Sequence, residues 1–189
     1  ATKEVLRYRT ALKEGCDLLK ERPLSTNMFT HICSVLRGKT MDVRKVPGTE
    51  IQNETTGETV YTPPEGEQII RDKLTNLENF IHRDDNIDPL VRMAVIHYQF
   101  EAIHPFHDGN GRTGRIINIL YLMSEGLLDI PVLYLSRHII ENKMDYYALL
   151  RAITADNAWE PWIRFMLTAV EETAMWTFQK IMAIRDLLK

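Results

Sequence analysis

Residues 104–115 read His-Pro-Phe-His-Asp-Gly-Asn-Gly-Arg-Thr-Gly-Arg, with two histidines, an aspartate, an asparagine, two arginines and three glycines in twelve positions. A turn between helices needs one glycine and a cap, so this density of polar groups points to ligand chemistry. Gly109, Gly111 and Gly114 let a ligand approach the backbone, and a helix expected to begin here brings unpaired N–H groups and the positive end of its dipole to the same loop. An anion is the matching ligand. Arg112 and Arg115, three residues apart on the first helical turn, share a side from which both guanidinium groups can grip successive phosphates. Asp108 beside them would repel a bare polyphosphate but would accept a divalent cation bridging it. Together these features describe a nucleotide with magnesium. His104, just outside the nest and neutral over part of the physiological range, has the chemistry of a general base. The loop contains no serine or cysteine to act as nucleophile. A histidine at a helix end, two arginines on a turn or a DGNG stretch each has an ordinary structural reading when taken alone; their concentration in twelve residues carries the assignment. Phe106 reads as the apolar anchor of the loop, and His107 as an exposed side chain directed away from the ligand.

A zinc site is the competing chemistry, with His97, Glu101, His104, His107 and Asp108 as possible ligands. The spacing is poor: neither an H-E-x-x-H nor a C-x-x-C pairing occurs, and zinc leaves both arginines and three glycines unexplained. No G-x-x-x-x-G-K-[ST] segment occurs, which excludes a Walker-type loop.

The elements that must position this segment are helical. Val5, Tyr8, Leu12, Cys16 and Leu19 recur at intervals of three and four, an amphipathic stripe over about 4–21 that Pro23 helps to end. Ser25 or Thr26 caps a second helix, which buries Met28, Phe29, Ile32, Val35 and Leu36 and stops at Gly38. Between Lys39 and Pro64 the helical period vanishes, and Thr56-Gly57 separates two short segments, 50–54 and 58–62, as in a hairpin or exposed loop. Helical period resumes at Glu67 with Ile70, Leu74, Leu77 and Ile81. Asp88-Pro89 is a cap followed by a first-turn proline, and the helix it opens runs to about Ile103, where Pro105 disfavours helical backbone at His104. Further helices are expected from about Gly111 to Glu125, from a cap at Ser136 to about Ile153, and from Glu160 to the end of the chain.

Composition sets the outer bounds. A chain of 189 residues suits one domain, and 44% hydrophobic with 26% charged residues is ordinary for a globular protein. A formal net charge of −3 supplies no field for nucleic acid. Two cysteines, Cys16 and Cys33, each inside an apolar helical pattern, imply free thiols and a reducing compartment such as the cytoplasm. No apolar stretch is long enough for a membrane span and no signal-peptide pattern opens the chain. The start in mid-helix at Ala1 suggests a piece of a longer protein.

The segment HPFHDGNGRTGR resembles the signature of the Fic family, H-P-F-x-[DE]-G-N-G-R-x-x-R, at every defined position. The resemblance extends to the helical frame, to the proline-flanked hairpin before the motif and to Tyr146-Tyr147 after it. It implies an all-α fold, a Fic-type helical bundle with a small β-hairpin flap beside the active site, within a single catalytic domain whose helical core covers about 4–175. The implied activity is transfer of AMP from ATP to a hydroxyl of a target protein, the enzyme itself included, with Mg²⁺ as cofactor. His104 would take the target's proton and Asp108 would hold Mg²⁺. Gly109, Asn110 and Gly111 would hold the α and β phosphates through backbone and amide groups, Arg112 and Arg115 would meet the outer phosphates, and Thr113 and Gly114 complete the nucleotide segment. Tyr146, Tyr147 and Thr154 resemble the family's adenine-side contacts. The flap would fall within about 43–62, with Thr59, Val60 and Tyr61 nearest the nucleotide and the target. Kinase-like members similar to Doc carry Lys in place of Gly111, so the glycine favours whole ATP; hydrolytic removal of AMP uses the same residues and stays open, as does oligomerisation. A non-catalytic helical binding module is the alternative of another class.

Many family members share an inhibitory helix reading [ST]-x-x-x-E-[GN], whose Glu would pair with Arg115. Thr10-Ala11-Leu12-Lys13-Glu14-Gly15 matches, but it lies inside the first amphipathic helix, which resembles the frame helix following the inhibitory one, so Glu14 is read as a decoy.

Overall fold

The computed structural model describes residues 2–52 and 59–188. The described residues form eight helices, α1 (Thr2–Leu19), α2 (Thr26–Arg37), α3 (Glu67–Ile81), α4 (Pro89–Ile103), α5 (Asn110–Ser124), α6 (Leu135–Glu141), α7 (Lys143–Asp156) and α8 (Trp159–Leu187), and two short strands, β1 (Ile51–Gln52) and β2 (Thr59–Tyr61). No helix among them is long and apolar enough to cross a membrane. The chain divides into two compact units, Ala1–Asp129 and Ile130–Lys189.

In the first unit the helix boundaries follow their caps. The Ser25 hydroxyl accepts from the Met28 amide, and Gly38 closes α2 in the left-handed region, its N–H reaching the Ser34 and Val35 carbonyls. The Asp88 carboxylate accepts from the Leu90 and Val91 amides, and Pro89 opens α4 where its missing N–H costs nothing. Around this frame α1 packs on α2 and α5, while α4 lies between α3 and α5. Phe29 of α2 meets Phe100 of α4 edge to face at 5.9 Å, a favourable arrangement of ring quadrupoles, and Phe106 is fully buried beside Phe100. β1 and β2 pair antiparallel, Ile51 opposite Tyr61 and Gln52 opposite Thr59; the turn expected around Thr56-Gly57 lies outside the described residues.

The second unit holds α6, α7 and α8. The expected cap at Ser136 and single helix to Ile153 give way to two helices: Tyr134 precedes the first, Ser136 is a buried helical residue, and the helix breaks at Asn142 before restarting at Lys143. Asn142 serves as both the end of α6 and the start of α7, with its side-chain amide returned to the His138 carbonyl. Local bonding of this kind is what lets asparagine interrupt a helix that its apolar neighbours would otherwise continue. Trp162, Met166 and Ala169 of α8 form the buried stripe, with Tyr146 against Trp162 and Phe165.

Helix α5 is crowded by α4 at Gly114. A Cβ there would sit 2.6 Å from Glu101 Oε1 and 3.2 Å from Phe100 Cδ1. Gly114→Ala is therefore expected to destabilise the protein by about 1–3 kcal/mol through overpacking, read from the shift of the urea unfolding midpoint.

Candidate functional site

Helix α4 ends and α5 begins on either side of residues 104–109. The last carbonyls of α4 and the first amides of α5 lack intrahelical partners, so this connection gathers unpaired polar backbone of both signs. His104 takes φ 48°, ψ 59°, left-handed backbone for a β-carbon-bearing residue, with its N–H bonded to the Phe100 carbonyl. Such a conformation costs about 1–3 kcal/mol and persists where surrounding contacts over-determine it. Gly109 follows at φ 92°, where glycine is strain-free, and starts α5.

Asn110 closes the loop. Its side chain accepts from the Phe106 amide at 2.9 Å and donates to the Phe106 carbonyl at 2.6 Å while only 2% exposed. The amide expected on the phosphates is thus engaged in holding the loop's shape, and the donors directed outward are the backbone N–H groups of the first turn of α5. Thr113 is fully buried beside the Cys33 thiol, and Gly114 serves helix packing. Burial drives the Cys33 thiol up to about 11, so it stays protonated under the Asp108 carbonyl, to which it donates at 3.4 Å. His107 is exposed, as its reading required.

The charged groups are unequal. Asp108 Oδ2 lies 2.7 Å from Arg37 Nη1, and Asp108 Oδ1 is 3.4 Å from Arg112 Nη2. Arg112 also pairs with Glu4 of α1. Glu14 pairs instead with His31 at 2.7 Å, and the neighbouring Gly15 packs tightly against Leu120. Arg115 differs: its Nε is buried and makes no hydrogen bond among the described residues. Close by, Glu101 Oε1 is buried without a partner, and desolvation drives that carboxyl up to about 7 against the opposing pull of Arg115.

His104 is neutral throughout the physiological range, since burial lowers its imidazole to about 4. The Glu101 backbone carbonyl and the Asp108 carboxylate oppose that shift, and Arg44 adds to it. Nδ1 is the buried ring nitrogen, which leaves Nε2 as the one able to take a proton from solvent or substrate. Arg44 from the segment before β1 donates through Nε to the His104 carbonyl at 2.8 Å. Tyr61 of β2 donates its hydroxyl to the Ala102 carbonyl at 2.9 Å, which ties the strand pair to the last turn of α4. The side chains of Thr59 and Val60 are outside the described residues.

The zinc set is not assembled: among the described residues no three His, Cys, Asp or Glu side chains converge as metal ligands. His97 is fully buried at 3.1 Å from the Asn118 amide and lies alongside Gly114, where it serves helix packing. Tyr146, Tyr147 and Thr154 belong to the second unit. Tyr146 is 4% exposed among aromatic neighbours and Tyr147 is 40% exposed.

Sequence reasoning passed over Arg37 and Arg44. Arg37 reads as an ordinary last-turn cation, and Arg44 as a charge in a polar loop. Glu101 reads from its sequence position as a zinc ligand, although a carboxylate near the end of an apolar helix is itself a signal of a buried acid. Folded Glu101 holds its proton up to about pH 7, whereas the unfolded group releases it near 4.5. The protein therefore loses stability from this group as pH rises across that window. Glu101→Gln is expected to melt close to wild type at pH 5 and above it at pH 8; equal melting temperatures at pH 8 would reject the buried-carboxyl assignment.

Residues 23–122 match the family model described as the Fic/DOC family. The chain is 31% identical over 108 residues to the protein adenylyltransferase fic-1 of Caenorhabditis elegans, covering 56% of this chain and 20% of that protein. It is 34% identical over 91 residues to a probable protein adenylyltransferase of Aquifex aeolicus, covering 48% and 26%. The chain thus spans about a fifth to a quarter of these relatives. In fold it is similar to a Fic family protein from Desulfovibrio desulfuricans G20, with a TM-score of 0.73 and 23% identity over 94% of this chain and 54% of the other. A helical fold of this kind, carrying the full signature at the junction of α4 and α5 and matching the family model over more than half its length, belongs to the Fic/DOC family.

Proposed function

We propose that this chain is a protein adenylyltransferase, which transfers AMP from ATP to a serine, threonine or tyrosine hydroxyl of a target protein and releases pyrophosphate. The observation that carries this reading is the neutral His104 held at the end of α4 directly before the amide-lined start of α5. In the step, the target hydroxyl oxygen forms a bond to the α-phosphorus of ATP, the bond from that phosphorus to the α,β-bridging oxygen breaks, and pyrophosphate leaves with the electron pair. The hydroxyl proton passes to Nε2 of His104, which the buried Nδ1 leaves as the available base. The amides of Asn110, Gly111 and Arg112 bind phosphate oxygens at the helix N-terminus, and Arg115 receives the outer phosphate as its missing partner.

Asp108 is half exposed and is the one carboxylate of the glycine-rich loop, which fits a Mg²⁺ ion that keeps water ligands and shares substrate phosphates. When bound there, Mg²⁺ supplies neutralisation of the charge on the phosphates. Asp108 would hold the ion with a carboxylate that Arg37 and Arg112 also contact, so the charge of those arginines would weigh on the metal's affinity. The β1–β2 pair is the flap of this reading: its open strand edge receives an extended target segment, and Tyr61 sets its distance from His104. The two free thiols support a reducing compartment, the cytoplasm.

Incubation of the protein and a lysate with ATP labelled on either the α or the γ phosphate tests the reaction. Protein-bound label from the α position alone is expected, and γ label on protein would replace AMP transfer with kinase chemistry. His104→Ala is expected to lower turnover by about 10²–10⁴-fold with ATP affinity nearly unchanged; matched losses in both would remove the base assignment. Asp108→Ala is expected to abolish the Mg²⁺ dependence of ATP binding in a titration while leaving the melting temperature close to wild type.

A further inference from the structure

Arg44 is 1% exposed, an unusual position for a cation with no carboxylate bonded to it among the described residues. Its partners are backbone carbonyls. Nε donates to His104 O at 2.8 Å, and Nη2 donates to Pro64 O at 2.5 Å and to Ile103 O at 3.4 Å. The Arg44 backbone amide adds a bond to Pro105 O at 2.9 Å. Three consecutive carbonyls, those of Ile103, His104 and Pro105, therefore point at one residue. They include the terminal carbonyls of α4, which have no intrahelical donors and carry the negative end of the helix dipole. A planar guanidinium can address several such oxygens at once, whereas an ammonium is a point charge on a flexible stem.

His104 adopts its left-handed backbone within this set of bonds. We propose that Arg44 is a positioning residue for the reaction: it holds the strained His104 turn, and through it the imidazole, in the geometry that meets the target hydroxyl, without itself touching nucleotide or target. The bond from the same guanidinium to Pro64 joins this turn to the segment between β2 and α3, so the strand pair and the base are held by one side chain. This assignment rests on His104 being the base of the proposed transfer.

Two measurements test it, one on catalysis and one on the backbone alone. Arg44→Lys keeps the charge and removes the fork. It is expected to lower kcat by about a hundredfold, the scale of a misplacement of about 1 Å, with KM for ATP within twofold of wild type. Equal losses in kcat and ATP affinity, or an unchanged kcat, would overturn the proposal. The second measurement is a stability cycle, because glycine takes left-handed backbone without strain. His104→Gly is expected to raise the melting temperature of Arg44→Lys by more than it raises that of wild type. Identical shifts in the two backgrounds, or an Arg44→Lys protein that stays unfolded even with His104→Gly, would show a general packing role and reject the positioning one. The cycle needs no activity. A wild-type protein that fails to transfer AMP would therefore remove the proposed function while the cycle still decides whether Arg44 holds this turn.

Discussion

The arrangement of the site depends on one constraint: α4 ends and α5 begins within a single short loop, so unpaired carbonyls and unpaired amides stand side by side. Each set demands its own partner. The carbonyl side is satisfied from within the protein by a cation, Arg44, and by the Tyr61 hydroxyl. The amide side is suited to an anion supplied from outside. The chain avoids using its own asparagine as that anion-side partner, because Asn110 spends its amide on Phe106 across the loop. The loop is thus internally rigid while its donors stay directed at a ligand, the condition under which fixed dipoles act on a reaction without reorganising.

Charge around that loop is arranged as a chain of competing pairs. Glu4, Arg112, Asp108 and Arg37 form successive ion pairs that link α1, α5, the loop and α2. All four side chains are at least one-fifth exposed, so each pair is screened and of modest strength, and an incoming polyphosphate or cation can exchange into it. Weak pairs of this type keep like charges apart in the absence of ligand without opposing its entry. Burial acts in the opposite manner on the two groups meant not to ionise. Desolvation disfavours the charged form of both: it lowers His104 to about 4, which leaves it neutral, and raises Glu101 to about 7, which leaves it partly protonated at neutral pH.

Much of the frame was legible in the sequence, and the reason is that its signals are local. Ser25, Gly38 and the Asp88-Pro89 pair act on amides and carbonyls within four residues, and each marks a helix end where the structure has one. The break at Asn142 was missed because the apolar pattern runs through it, and its bond to His138 O, although local, leaves no mark on that pattern. Within the site, residue types and spacing identified the loop, but not how its members divide their tasks. Gly114 and Thr113 sit in the motif yet serve packing, since their neighbours Glu101, Phe100 and Cys33 come from the neighbouring helices α4 and α2. Arg37 and Arg44 were illegible for the same reason: a cation bonded to a loop some 60 residues distant leaves no periodic trace.

The two motif arginines show why spacing alone could not assign roles. Both project from the first turns of α5, and on sequence they are interchangeable phosphate ligands. Arg112 faces α1 and Asp108 and is already paired twice. Arg115 points back toward α4, where the nearby acid is Glu101, and a buried carboxyl whose proton is retained up to about pH 7 is a poor counter-ion. A guanidinium beside an acid that burial holds partly protonated near pH 7 is only partly neutralised, a state with much to gain from an anionic ligand. Gly111 preserves that state sterically: a Cβ there would already lie 3.2 Å from Arg115 Nη1, and a longer side chain would displace the guanidinium from its place. The glycine, the partly protonated acid and the arginine whose Nε has no partner among the described residues therefore act as one unit, which leaves room and attraction for the outer phosphate of a nucleotide.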